Sequence, residues 1–142
     1  MYDYDLERFV TAQERTYERA LQEIRKGCKQ GHWMWYIFPQ IKGLGHSEKS
    51  QYYAIQSPEE AKAYLEHPVL GKRLQEISIV LLGLPTSDAQ EVFGQTDSLK
   101  LRSCMTLFYQ VSHFMVFGRV LKKFYCGELD PKTLSILEGE SR

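Results

Sequence analysis

The stretch SPEEAKAYLEHPVLGKRLQEISIVLLGL, residues 57–84, decides the fold class. Ser57 stands as an N-cap, Pro58 takes the first helical position and Glu60 has capping-box spacing, so a helix begins there. It runs to Glu66, because the pair His67-Pro68 disfavours continued α geometry. A second helix starts at Pro68 and carries Leu70, Leu74, Ile77, Val80 and Leu81 as far as Leu82. The run ISIVLLGL, residues 77–84, suits a buried helix end and falls well short of the roughly 20 apolar residues that span a bilayer.

The same grammar extends in both directions. From Asp5 to Lys26, Leu6, Phe9, Val10, Tyr17, Ala20, Leu21 and Ile24 recur at the helical period, and Gly27 is a stop signal. Downstream, DAQEVFG reads as a short helix closed by Gly94, with Ser87 and Gln90 at capping-box spacing. Thr96 or Asp97 caps a longer helix whose stripe is Leu101, Cys104, Met105, Phe108 and Val111. Residues 113–125 continue the pattern through Phe114, Phe117, Val120, Leu121 and Phe124, with a break expected at Gly118 and an end at Gly127. Asp130-Pro131 starts a last short turn through Leu137. Outside residues 33–38 nothing alternates like a strand, and no Asn-Gly hairpin signal occurs. The expectation is an all-α fold, a single domain over residues 1–142 with about six to eight helices and a long aromatic-rich connector near residues 28–56.

Lys plus Arg and Asp plus Glu each total 18, so no net field draws duplex DNA or an anionic membrane. Cys28, Cys104 and Cys126 form no CxxC pair, which points to reduced thiols used for packing and to a cytoplasmic setting. The start MYDYDLERF lacks the basic and apolar segments of a signal peptide. His32, His46, His67 and His113 have no metal-ligand spacing, so no metal is expected, and no cofactor motif appears. His67 is read as a capping or packing residue and Glu60 as a capping-box residue.

The richest segment for chemistry is GHWMWYIFPQIKGLGHS, residues 31–47. Pro39 pushes Phe38 toward an extended conformation, so residues 33–38 read as a buried, partly extended connector. Its rings have an ordinary use as core filling. In the functional reading Trp33, Trp35 or Tyr36 forms a stacking wall, while His32 and Gln40 orient a ligand by hydrogen bonds. In GLGHS, Gly43 and Gly45 permit close approach of backbone amides to a ligand, with Ser47 beside them, although the same glycines also suit a plain turn. No GK[ST] ending or third glycine follows, so neither a Walker loop nor a dinucleotide fingerprint is present.

In TDSLKLRSCMTLF, residues 96–108, Asp97 and Lys100 fall in the sector of the apolar stripe, which is unusual for charged side chains. Lys100 stands in the first turn, where the helix dipole disfavours a cation, so it should seek an anion. Asp97 is the nearest partner, and the ordinary reading is a simple Lys100–Asp97 pair. The functional reading is an anion site built from Lys100, Ser103 and helix-start amides, with Asp97 positioning Lys100 or serving as a base. Nothing supplies an oxyanion hole for a Lys100–Ser103 hydrolase pair.

Taken in order, HWMWYIFPQIKGLGHS, SPEEAKAYLEHPVLGKRL, VFGQTDSLKLRSCMTLF and LDPKTLSIL resemble the bacterial and fungal family of domains of unknown function numbered 1810. The resemblance runs from DLERFVTAQ to the C-terminus and implies a mainly helical single domain. SPEEAK, Arg73, Asp97, Lys100, Met105 and KKF at residues 122–124 are also similar to helical N-glycosidases linked to NAD and ADP-ribose chemistry. That family's V-E-H-type glutamate motif has no counterpart here, which leaves its catalytic carboxylate unplaced.

The leading functional expectation is a protein that binds, and in one version hydrolyses, a nucleotide-like or other phosphorylated small molecule between the aromatic stretch and residues 97–106. The competing one is a protein-interaction module in which the rings form an exposed patch covered by another chain.

Overall fold

The two helix starts read in residues 57–84 both form. In a computed structural model, which describes residues 4–140, Ser57 Oγ accepts the Glu60 amide at 3.2 Å. The Glu60 carboxylate reaches back to the Gln56 amide at 2.7 Å, one residue earlier than a standard capping box. The helix so started is α5 (Pro58–Glu66). His67 then accepts the amides of Val69 and Leu70 on Nδ1, at 3.1 and 3.2 Å, and caps α6 (Leu70–Leu82).

Upstream, the segment expected as one helix is two, α1 (Glu7–Glu14) and α2 (Tyr17–Arg25). The break falls at Thr16, which leaves helical angles at φ −120° and whose hydroxyl lies 3.2 Å from the Tyr36 phenol. The break brings Tyr17, Ala20, Leu21 and Ile24 onto the buried side of α2, which packs against α6.

The aromatic stretch is not extended. Residues Met34–Ile37 form one helical turn, α3, and Glu48–Tyr52 form α4, capped by Ser47 Oγ accepting the Ser50 amide at 3.1 Å. These turns, with the α1/α2 break, raise the helix count among the described residues to nine. The constraint of Pro39 on Phe38 does operate, since Phe38 has ψ 70°, but it ends the turn without preventing it. An isolated parallel bridge joins Ile41 to Ile55, and the described residues contain no named strand.

The long α7 (Ala89–Ser112) is kinked at Gly94, whose φ of 83° needs a residue without a side chain. Asp88, rather than Ser87, caps its start by accepting the Gln90 amide at 3.0 Å. Gly94 is its one non-helical interior residue, so Thr96 and Asp97 lie inside the helical turn and not at a cap. α8 (Met115–Tyr125) passes through Gly118 without a break. A Cβ at Gly118 would sit 2.9 Å from the Tyr109 ring, so this glycine serves close packing of α8 on α7. α9 (Pro131–Glu140) follows Asp130, whose Oδ2 accepts the Thr133 amide, and packs on α7.

The core is one apolar cluster in which Phe9, Trp33, Phe38, Tyr64, Phe108 and Phe117 are fully buried. A buried ion pair crosses it: Arg8 Nη1 and Nη2 lie 3.0 and 3.4 Å from the Glu60 carboxylate, and Arg8 also donates to the carbonyls of Tyr52 and Ala54. Such a pair is retained at modest net energy but is costly to halve. It ties α1 to α5 and to the end of α4. Among the three cysteines only Cys104 packs inside; Cys28 and Cys126 are exposed, against the expectation for all three. No helix of the described residues is long and apolar enough to cross a membrane. The first three residues of MYDYDLERF lie outside the described residues.

Candidate functional site: a cleft beside Trp35

One helical turn separates the two tryptophans. Because α3 is helical, Trp33, Met34, Ile37 and Phe38 share the inner face and are at most 2% exposed, while Trp35 and Tyr36 turn outward and are half-buried. An extended strand would have put Trp33 and Trp35 on the same side.

Trp33 is locked in the core. Its indole Nε1 donates to Glu23 Oε1 at 2.9 Å, and the same oxygen accepts the amides of Gln30 and Gly31 at 2.7 and 2.9 Å. Burial alone would push the Glu23 carboxyl up. The amides of Gly31 and Gln30, the indole and the Lys29 ammonium outweigh it and hold the carboxyl below its ordinary range.

Trp35 instead lines a cleft of about 330 Å³ between the 38–50 segment on one side and α7 with the start of α9 on the other. Ile41, Leu44, Tyr53 and Leu99 supply apolar walls, and Gln40, Thr96, Lys100, Ser103, Asp130 and Lys132 supply polar groups. This is the usual composition of a small-molecule site, in which apolar surface gives contact area and a few polar groups give orientation. The Tyr53 phenol is pushed up, chiefly by burial and then by Tyr52 and Tyr36, so this lining residue stays protonated.

The ammonium groups of Lys49 and Lys100 each lie 5.2 Å from the centroid of the Trp35 ring, within cation–π range. Lys100 is also 3.4 Å from Asp97 Oδ1, so the simple pair read from the sequence is present. Neither Lys49 nor Lys132 belongs to an ion pair among the described residues. The Gln40 side-chain amide has no hydrogen-bond partner among them either. Gln40 and Lys132 thus stand unengaged in the cleft lining, while Lys49 lies at the Trp35 ring outside it.

Of the residues singled out by sequence, the structure brings Trp35, Gln40, Gly45, Lys100 and Ser103 to one cleft. It does not bring the others there. His32 is exposed and Trp33 is core, neither lining the cleft. Gly43, with φ 107°, makes a turn under Ile136, and Ser47 is spent on the α4 cap. Gly45 allows close approach to a neighbour, since a Cβ there would meet Ser50 Oγ at 2.5 Å. Asp97 lies behind Lys100, outside the lining, and is bonded by Lys29 at 2.8 Å as well. The aromatic stretch also forms no exposed ring patch, because Trp33 and Phe38 are buried and Trp35 and Tyr36 are only partly exposed.

Sequence reasoning missed Asp130 as a lining residue. Its Oδ2 accepts Ser103 Oγ at 2.9 Å, Thr133 N at 3.2 Å and Thr133 Oγ1 at 2.5 Å, and its own amide donates to Thr106 Oγ1 at 2.9 Å. The Asp-Pro start of α9 was the available signal, and it was legible only as a cap. Lys29 was missed too, because nothing local to it announces a partner 68 residues away, the separation of 97 and 29. Among the described residues no three His, Cys, Asp or Glu side chains converge as metal ligands would.

No curated protein matches the chain. The structure is similar to the crystal structure of the conserved hypothetical protein Rv1873 from Mycobacterium tuberculosis. The TM-score is 0.93 and the identity 43%, over 95% of this chain and 97% of that one. These comparisons do not show the likeness to N-glycosidases, and of that pattern the cleft holds Lys100 while Arg73 lies over Tyr17 at 5.0 Å. Residues 3–137 match the family described as "Protein of unknown function (DUF1810)", and the chain belongs to that family.

Proposed function

We propose that the cleft binds a small organic anion with a flat or apolar body, of the nucleotide-like or otherwise phosphorylated kind. The observation that carries this is the surround of Trp35: a half-buried indole flanked by the Lys49 and Lys100 ammonium groups, with unpaired Lys132 in the same cleft. Ring and cations together suit a ligand that presents a flat face and a negative charge. Ile41, Leu44 and Leu99 extend the apolar contact, and the free Gln40 amide can orient a polar edge.

The reading is one of binding. Asp97, considered above as a base, is held between two lysines, and Asp130 has one oxygen occupied by three donors. A thermal-shift screen with nucleotides, ADP-ribose, NAD, sugar phosphates and simple anions tests it. A ligand at a hundredfold excess over its Kd stabilises the native state by about 2.7 kcal/mol. The expected result is a shift selective for phosphorylated compounds that Trp35→Ala and Lys100→Ala each reduce. Shifts left unchanged by both substitutions would place the ligand elsewhere, and a screen without shifts would overturn the proposal.

A further inference from the structure

Lys100 has two competing neighbours. It sits over the Trp35 ring, but Asp97 Oδ1 lies 3.4 Å from its ammonium, and a carboxylate that close opposes any anion arriving from the cleft. Asp97 has a second cation at shorter range, since Lys29 Nζ lies 2.8 Å from Oδ2. The Lys29 side chain is only 7% exposed, against 20% for Asp97 and 28% for Lys100. Lys29 is also fixed on several sides. Its amide donates to Val92 O at 2.8 Å, its ammonium donates to Gly31 O, and the Trp33 ring is 5.0 Å away.

The Lys29–Asp97 pair is thus the shorter and drier of the two, and charge attraction grows as distance and effective dielectric fall. Lys100 is the longer, wetter partner that can turn away at small cost. We infer that Lys29 is a positioning residue that sets the anion affinity of the cleft, by engaging Asp97 and so leaving Lys100 available to the ligand. The inference rests on the anion-binding reading above and adds to it a residue that never touches the ligand. Without Lys29, Asp97 keeps Lys100 as its only cation among the described residues, and an arriving anion must break that pair. Without both Lys29 and Asp97, Lys100 is free again.

The test is a titration of adenosine 5′-monophosphate, followed by calorimetry, across a small set of variants. Lys29→Met should weaken binding by about threefold to tenfold, the range for loss of one partly exposed charged contact. Lys29→Arg should restore it, and so should adding Asp97→Asn to Lys29→Met. In a Lys100→Gln background, Lys29→Met should have a clearly smaller effect, limited to the repulsion of the bared Asp97 carboxylate. A packing defect at position 29 would be neither repaired by Asp97→Asn nor diminished by Lys100→Gln. Wild-type affinity in Lys29→Met, or a loss that is undiminished without Lys100, would overturn the inference.

If the wild-type protein binds no phosphorylated compound, the reading of the site fails, and iodide quenching then decides the role of Lys29 separately. Of the two tryptophans only Trp35 is accessible, so quenching by iodide relative to neutral acrylamide reports the field at the Trp35 ring, which Lys49 and Lys100 set together. Lys29→Met should lower that ratio in the presence of Lys100 and lower it clearly less in Lys100→Gln. A ratio that Lys29→Met does not move, or moves equally in both backgrounds, would sink the inference.

Discussion

Trp33 and Trp35 stand two positions apart and do opposite work. Trp33 is fully buried, with its indole N–H fixed on Glu23, whereas Trp35 is half-buried with lysines at its ring and a cleft in front of it. The difference follows from a single turn of helix. At about 100° per residue, positions 33, 34, 37 and 38 face one way while 35 and 36 face the other. An aromatic-rich segment can thus anchor a core and furnish a binding wall at once, provided that it turns rather than extends.

The sharpest way to break this contrast is to truncate each ring in turn. Trp33→Ala should destabilise the fold by about 3–5 kcal/mol, since it removes a buried ring and leaves a cavity among Phe38 and its neighbours. Trp35→Ala should cost clearly less, about 1–2 kcal/mol, because that ring is only partly buried and borders an open cleft. Paired urea melts would measure both. Equal losses at the two positions would show that Trp35 is also a core residue and that the cleft is incidental.

Next in size is the anchor beneath Trp33. Glu23→Gln keeps an acceptor but loses the charge that three N–H donors share, so a loss of about 1–3 kcal/mol is expected near neutral pH. The pH dependence has a definite sign. The folded-state pKa of Glu23 is depressed, so its contribution is complete above the ordinary carboxylate range and is lost as pH falls through the folded value. Stability of the wild type and of Glu23→Gln, followed by denaturation from neutral to acid pH, should therefore converge as acidity rises. A constant gap would mean that Glu23 acts by shape alone.

The helices of this fold were largely legible because their signals are local. The caps at Ser57 and His67, the Gly94 break and the stripe of Leu101, Cys104, Met105 and Phe108 each sit within a few residues of their effects. The α3 turn was missed because four residues are too few for periodicity to declare, and the ring-rich composition with Pro39 resembled a strand. Within the cleft, Trp35, Gln40, Lys100 and Ser103 were findable by residue type. Asp130, Lys132 and Lys29 were not, since they reach the site or its supports only through packing of α9 on α7 and of the 28–31 segment beside Asp97. Long-range pairing carries no mark in a single sequence.

The smallest expected effect concerns the rim. Lys49 stands on α4, is exposed, and holds its position over Trp35 without an ion pair, so Lys49→Ala should change stability by no more than about 0.5 kcal/mol. Its contribution should appear in the rate and salt dependence of anion binding, as expected for a peripheral charge. Stopped-flow association of a phosphorylated ligand should slow in Lys49→Ala at low salt and match wild type once the Debye length falls to roughly 3 Å near 1 M salt. Lys100→Ala should instead raise the dissociation rate at any salt, because that cation is partly shielded and faces the ligand directly. If the two substitutions had identical kinetic signatures, Lys49 and Lys100 would be equivalent surface charges, and Trp35 would lose the asymmetry that distinguishes it from a solvent-facing ring.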